Sequence, residues 1–169
     1  MHFFRDKKKI KASIEEYVAS LKTDYGNDNY LPLQEICSDA GIELLQNQQI
    51  SDARGIKSIQ KQHLYDVWAF KFENGVRGVV YNPAMQGFPL LYGLTKKVGH
   101  HLLGHFEREP PICLLEAEAH YFSAAIINVP FLTLRCIDTP PISSLFTSKE
   151  LIKQSLADHY SLDNKPELI

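Results

Sequence analysis

At 169 residues, with 44% hydrophobic and 22% charged side chains, the chain is long enough for one well-packed domain and short for two. Eighteen basic residues against twenty acidic ones give a formal net charge of -2. That balance excludes a general attraction to nucleic acid or anionic membrane, leaving only local patches for such binding.

The N-terminal stretch MHFFRDKKKIKASIEEY has no apolar run of signal-peptide length, and no membrane-spanning apolar run occurs later. A soluble, cytoplasmic protein is expected. Ile10, Ile14, Tyr17, Val18 and Leu21 recur at helical spacing and predict an amphipathic helix from about Asp6 to Leu21. Lys7 to Lys9 read as its solvated end. LPLQEICSDAG follows as a short helix with Pro32 near its start and Gly41 as a left-handed cap.

From Ile42 the period shortens towards two, through IELLQ, ARGIKSIQ, YDVWAFKF and VRGVVYN. These predict a small, mostly antiparallel sheet ending in a hairpin, with Asn74-Gly75 in the turn. A helix is expected from about Leu90 to Phe106, ended by Pro110-Pro111, and another over CLLEAEAHYFSAAIIN. A last amphipathic helix, SKELIKQSLADHYSL, has Ser148 as its expected cap. The fold class implied is α+β, a small sheet on a helical bundle. It forms one domain over residues 1 to 169, with a C-terminal helical extension from about 141. The helices near 90–106 and 113–128 should bury their stripes against each other. Cys37, Cys113 and Cys136 form no CxxC pair and read as small structural thiols.

LTKKVGHHLLGHFE, residues 94–107, carries the chemistry. A zinc-hydrolase helix of the H-E-x-x-H type sets two histidines four apart on one face, with a glutamate beside the first to polarise water. Here the only such pair is His101 and His105, and Leu102 follows the first. On a helical wheel both share a stripe roughly 100° wide with Leu94, Val98 and Leu102, which favours hydrogen-bonded core histidines over ligands. His100 lies off that stripe, on the side of Lys96. In the following helix Glu118 falls at the border of the buried seam, whereas Glu116 reads as solvated.

LPLQEICSDAGIELL, GVVYN, YGLTKKVGHHLLGH and EAEAHYFSAAIINVP together resemble, in order and spacing, the landmarks of the ImmA/IrrE family of zinc metallopeptidases. The resemblance covers most of residues 31–130. It implies a zincin-like core, with His100 in the place of the second zinc histidine and Glu118 in that of the carboxylate ligand. Lys96 stands where the first histidine would be, Lys97 where the catalytic glutamate would be, and His120 where the family has asparagine. An ammonium group repels a dication and cannot serve as the base. The resemblance therefore implies a vestigial site made of Lys96, Lys97, His100 and Glu118, with no cofactor and no catalysis expected. In that geometry Lys96 is expected to pair with Glu118.

Members of the family act on or beside helix-turn-helix repressors of phages and mobile elements. The resemblance thus implies a protein that works by binding such a repressor. The alternative is an active zinc peptidase with a rearranged site, drawing on His100, Glu118 and one of His101, His105 or His120, with Glu116 or Glu107 as base. Direct nucleic-acid binding is not expected, because after LIKQSLADHYSLD only NKPELI remains and no recognition helix follows.

Overall fold

The computed structural model describes residues 7–26, 32–52, 67–109, 112–128 and 142–169. The expected strand ARGIKSIQ and Cys136 lie outside them. In chain order the elements are α1 (Lys7–Tyr25), α2 (Leu33–Asp39), β1 (Glu43–Gln46), α3 (Asn47–Asp52), β2 (Val67–Lys71) and β3 (Arg77–Tyr81). They continue with α4 (Gly87–Leu102), α5 (Ile112–Ile127), α6 (Ile142–His159) and β4 (Glu167–Leu168). The class is α+β. None of the described helices is long and apolar enough to cross a membrane.

The sheet runs β1-β3-β2-β4. It is mixed: β2 pairs antiparallel with β3 and β4, but β1 runs parallel to β3, with Leu45 opposite Val80. The hairpin between β2 and β3 turns at Gly75, whose φ of 91° suits the turn expected there. Alternate residues of β2 and β3 face opposite sides, as strand geometry requires. Phe70 and Val80 join Ile152, Leu156 and Ala157 of α6 in one core. Ala69 and Val79 join Val98 of α4 in another. The helix beyond residue 141 therefore supplies half of the sheet's cover, and it starts at Ile142, so Ser148 lies within it and does not cap it.

Beyond α4 the packing is helix on helix. Ile14, Val18 and Leu21 of α1 meet Phe122 and Ile126 of α5 in a third cluster that also includes Ile36 of α2. The expected burial of α4 against α5 is met. Gly99 is what brings them close: a Cβ there would lie 2.7 Å from the ring of Phe122, which is fully buried.

The helix expected to continue to Phe106 stops at Leu102. Gly104, at φ 66°, takes the left-handed conformation that L side chains disfavour, and its N–H bonds to the His101 carbonyl. The chain then makes one 3-10 turn, His105–Glu107. His101 and His105 are consequently not two positions on one helical face.

Gly99→Ala should test the α4–α5 contact. The methyl group gains helix propensity of about 1 kcal/mol but must displace a packed ring, for a net loss of roughly 1–2 kcal/mol. Urea unfolding would read it, and an unchanged midpoint would show that the helices can part without strain.

Candidate functional site

Four buried or half-buried groups form a row between α4, the 3-10 turn and α5. Reversal of the chain at Gly104 brings His105 back beneath α4, so its Nδ1 lies 2.9 Å from Nδ1 of His100. Both imidazoles are fully buried and meet edge to face. At one end, His105 Nε2 lies 3.1 Å from Glu118 Oε2. At the other, His100 Nε2 lies 3.3 Å from Glu116 Oε1.

The proton arithmetic follows from the imidazole ring. A neutral histidine has one N–H and one lone pair. If His105 donates from Nε2 to Glu118, its Nδ1 must accept from Nδ1–H of His100. Nε2 of His100 then carries a lone pair facing Glu116. This arrangement agrees with the absence of a hydrogen-bond partner for His100 Nε2 among the described residues, so its contact with Glu116 is proximity without an aligned bond. Two joined neutral rings can thus satisfy one carboxylate and leave the other to be offset by cations.

Each carboxylate has such a cation. Lys96 Nζ lies 2.8 Å from Glu116 Oε2 and Lys97 Nζ 3.6 Å from Oε1. Arg108 holds Glu118 with two bonds, of 2.6 and 3.2 Å. Burial opposes ionisation of Glu116, but the ammonium groups of Lys97 and Lys96 outweigh it and hold its pKa well below the ordinary carboxylate range. Burial pushes His100 down to about 4 despite Glu116, so its ring is neutral near pH 7. Burial likewise lowers His105, against the pull of Glu118.

These contacts correct two expectations. Lys96 pairs with Glu116, not with Glu118. Glu116 is not a solvated residue: its side chain is 29% exposed and is the meeting point of Lys96, Lys97 and His100. The wheel misjudged it because it places a residue relative to apolar neighbours on its own helix. Glu116 is covered from outside, by α4. Glu118, at the border of the seam on the wheel, is buried, and Arg108 and His105 are its partners.

The other histidines lie elsewhere. His101 donates from Nε2 to the Gly78 carbonyl of β3 at 2.8 Å and stacks on Phe106, a core role that its place on the apolar stripe anticipated. Burial lowers its pKa to about 4 as well. His120 bonds the Tyr92 hydroxyl. Glu107 pairs with Lys71 of β2. Cys37 is buried, its thiol pushed up to about 12, whereas Cys113 is exposed.

A catalytic zinc takes three protein donors and an open position. His100 Nε2 and Glu116 Oε1 converge, but the groups completing their surroundings are two ammonium ions. Glu118 lies beyond the histidine pair, tied to Arg108. The residues present do not fit the metal. Among the described residues no three His, Cys, Asp or Glu side chains are gathered to hold one. Compared with protein families, curated proteins and solved structures, the chain matches none.

Two measurements probe the row. Lys96→Met should cost roughly 1–3 kcal/mol, below the full 3–5 for stranding a buried charge because Lys97 remains nearby, and Lys96→Met with Glu116→Gln should cost less than the sum of the singles. Strict additivity in urea unfolding would refute the pairing. The second measurement is pH. His100 and His101 titrate near 4 when folded and about 6.5 when unfolded, so the unfolded chain binds more protons between those values. Stability should therefore fall as pH drops from about 6.5 towards 4, with roughly 3 kcal/mol at stake per histidine at full titration. The depressed Glu116 adds a further loss only below about 4.3. His101→Gln should make the fall between pH 7 and 5 shallower, and an unaltered slope would show that His101 is not titrating there.

Proposed function

We propose that this chain is a degenerate, non-catalytic relative of the ImmA/IrrE metallopeptidases that acts by binding a protein, with a helix-turn-helix repressor as the partner class. The observation that carries the reading is the Lys96–Glu116 contact of 2.8 Å beside His100 Nε2. In the family pattern a histidine at position 96 and the carboxylate in the place of Glu118 would share a dication, whereas Lys96 meets Glu116, two residues earlier on the same helix. Here an ammonium group and its carboxylate neutralise each other instead.

The base position supports the same reading. Lys97 lies 3.6 Å from Glu116 and 5.9 Å from the ring centroid of Trp68, and a cation so placed cannot accept a proton from water. A rearranged peptidase finds less support. Its candidate ligands His101 and His120 are engaged with Gly78 and Tyr92, and its candidate base Glu107 with Lys71. On this reading the chain keeps a binding role without the chemistry.

The decisive experiment rebuilds the motif. Lys96→His with Lys97→Glu writes H-E-V-G-H into α4 and should raise zinc to near stoichiometric by elemental analysis. Glu116→Gln should then abolish that zinc, while Glu118→Gln should spare it. The unaltered protein should carry little zinc, should co-purify with a repressor encoded beside it, and should leave that repressor uncleaved. About one zinc per unaltered chain, lost on His100→Ala, would overturn the proposal.

A further inference from the structure

A cleft of about 560 Å³ opens between α4, the start of α5, α6 and the β2–β4 edge. Five cationic side chains line it, namely Lys96, Lys97, Arg108, Lys149 and Lys153, against the two carboxylates Glu116 and Glu167. In a chain of net charge -2, this is a local concentration of positive charge. Trp68 lies at its centre: Lys97 from α4 and Lys149 from α6 each place Nζ 5.9 Å from its ring centroid.

The cations of α4 are engaged by Glu116, but those of α6 are set against each other. Lys149 and Lys153 are one helical turn apart, where like charges repel. Lys153 reaches Glu150 at 3.5 Å, a pair whose carboxylate is 63% exposed and contributes little. Burial, and after it the charge of Lys153, lowers the pKa of Lys149, while Glu167 pulls it back up. An anion brought between α6 and Trp68 relieves this repulsion. Beside the cations the walls are apolar, with Leu115 buried and Ile112 75% exposed at the rim.

We propose that this cleft is a recognition site for an acidic polypeptide segment, with its carboxylates held by Lys149 and Lys153 beside Trp68 and an adjoining apolar side chain on Ile112. The chain itself supplies the pattern. Strand β4 runs extended along β2, with Lys71 opposite Glu167, and brings the Glu167 carboxylate to this cleft. Nucleic acid suits the site less well. It gains affinity from many phosphate contacts spread along a strand, whereas these cations are confined to one basin with apolar walls. The proposal rests on the binding reading above and gives its partner a chemistry, but the two can fail separately.

The test uses the full chain and the emission of Trp68, its single tryptophan, together with calorimetry. A synthetic Glu/Leu peptide should bind saturably, shift that emission, and weaken as salt screens the contact. Its Gln/Leu counterpart should bind roughly tenfold more weakly or worse. Lys149→Gln with Lys153→Gln should weaken the Glu/Leu peptide by a similar factor while leaving thermal unfolding in place. Glu167→Gln, which removes the internal carboxylate, should tighten it. Equal binding of the two peptides, tighter binding of inorganic phosphate or a single-stranded oligonucleotide, or indifference to the α6 and Glu167 changes would each overturn the acidic-segment proposal. Capture of a repressor that ignores the Lys149 and Lys153 changes would sink this proposal and leave the binding function standing.

Discussion

Two imidazoles joined through their Nδ1 atoms can present one N–H to the two carboxylates at their outer ends. The charged residues around the row answer that shortage. Arg108 holds the Glu118 end and Lys96 and Lys97 hold the Glu116 end, so whichever end lacks the ring N–H still has a cation. Removing Arg108 would leave the buried Glu118 with His105 alone, the costly case for buried ions, whereas Glu116 would keep one lysine if the other were lost. The row also explains why two lysines face α5 at this point. Together they offset the charge of one carboxylate, Glu116.

The backbone makes this row possible at two points. Gly99 lets α5 come close enough for Glu116 to reach Lys96 and His100, and Gly104 reverses the chain so that His105 meets His100. Fixed in this way, His100, His105 and Glu118 are core residues as much as Val98 or Phe122 are. Their chemistry is correspondingly closed to solvent, whereas the lysines lie at the boundary between the row and the cleft beside it.

Much of this was legible before any coordinates. Five of the six described α-helices, the β2–β3 hairpin and the contact of α4 with α5 follow from periodicity and from Gly and Pro punctuation, which are local properties, whereas α3 is not among the expected elements. His101 as a core residue and Glu118 at the border of the seam also follow, because each wheel compares neighbours on a single helix. What could not be read depends on residues distant in sequence. The partner of Lys96 depends on the rotation of α5 against α4, and the two plausible carboxylates, Glu116 and Glu118, are two residues apart on different sides of α5. The fate of His105 depends on whether Gly104 ends the helix. A glycine within an apolar run signals either a helix end or a packing contact, and here Gly104 is the first and Gly99 the second. Strand β4 escaped notice because two residues carry no period, and the parallel pairing of β1 because alternation does not encode direction.

Strand β4 has a consequence for how the molecule is assembled. Leu168 lies in the same core as Phe70, its register partner, yet roughly a hundred residues separate them along the chain. The sheet is therefore unfinished until residue 168 has been made, with the edge of β2 lacking its β4 partner and the aromatic face of Phe70 and Phe72 lacking the cover of Leu168. Open edges of that kind pair with whatever extended chain is nearest. A nascent or clipped form lacking Glu167 and Leu168 would be prone to self-association at that edge.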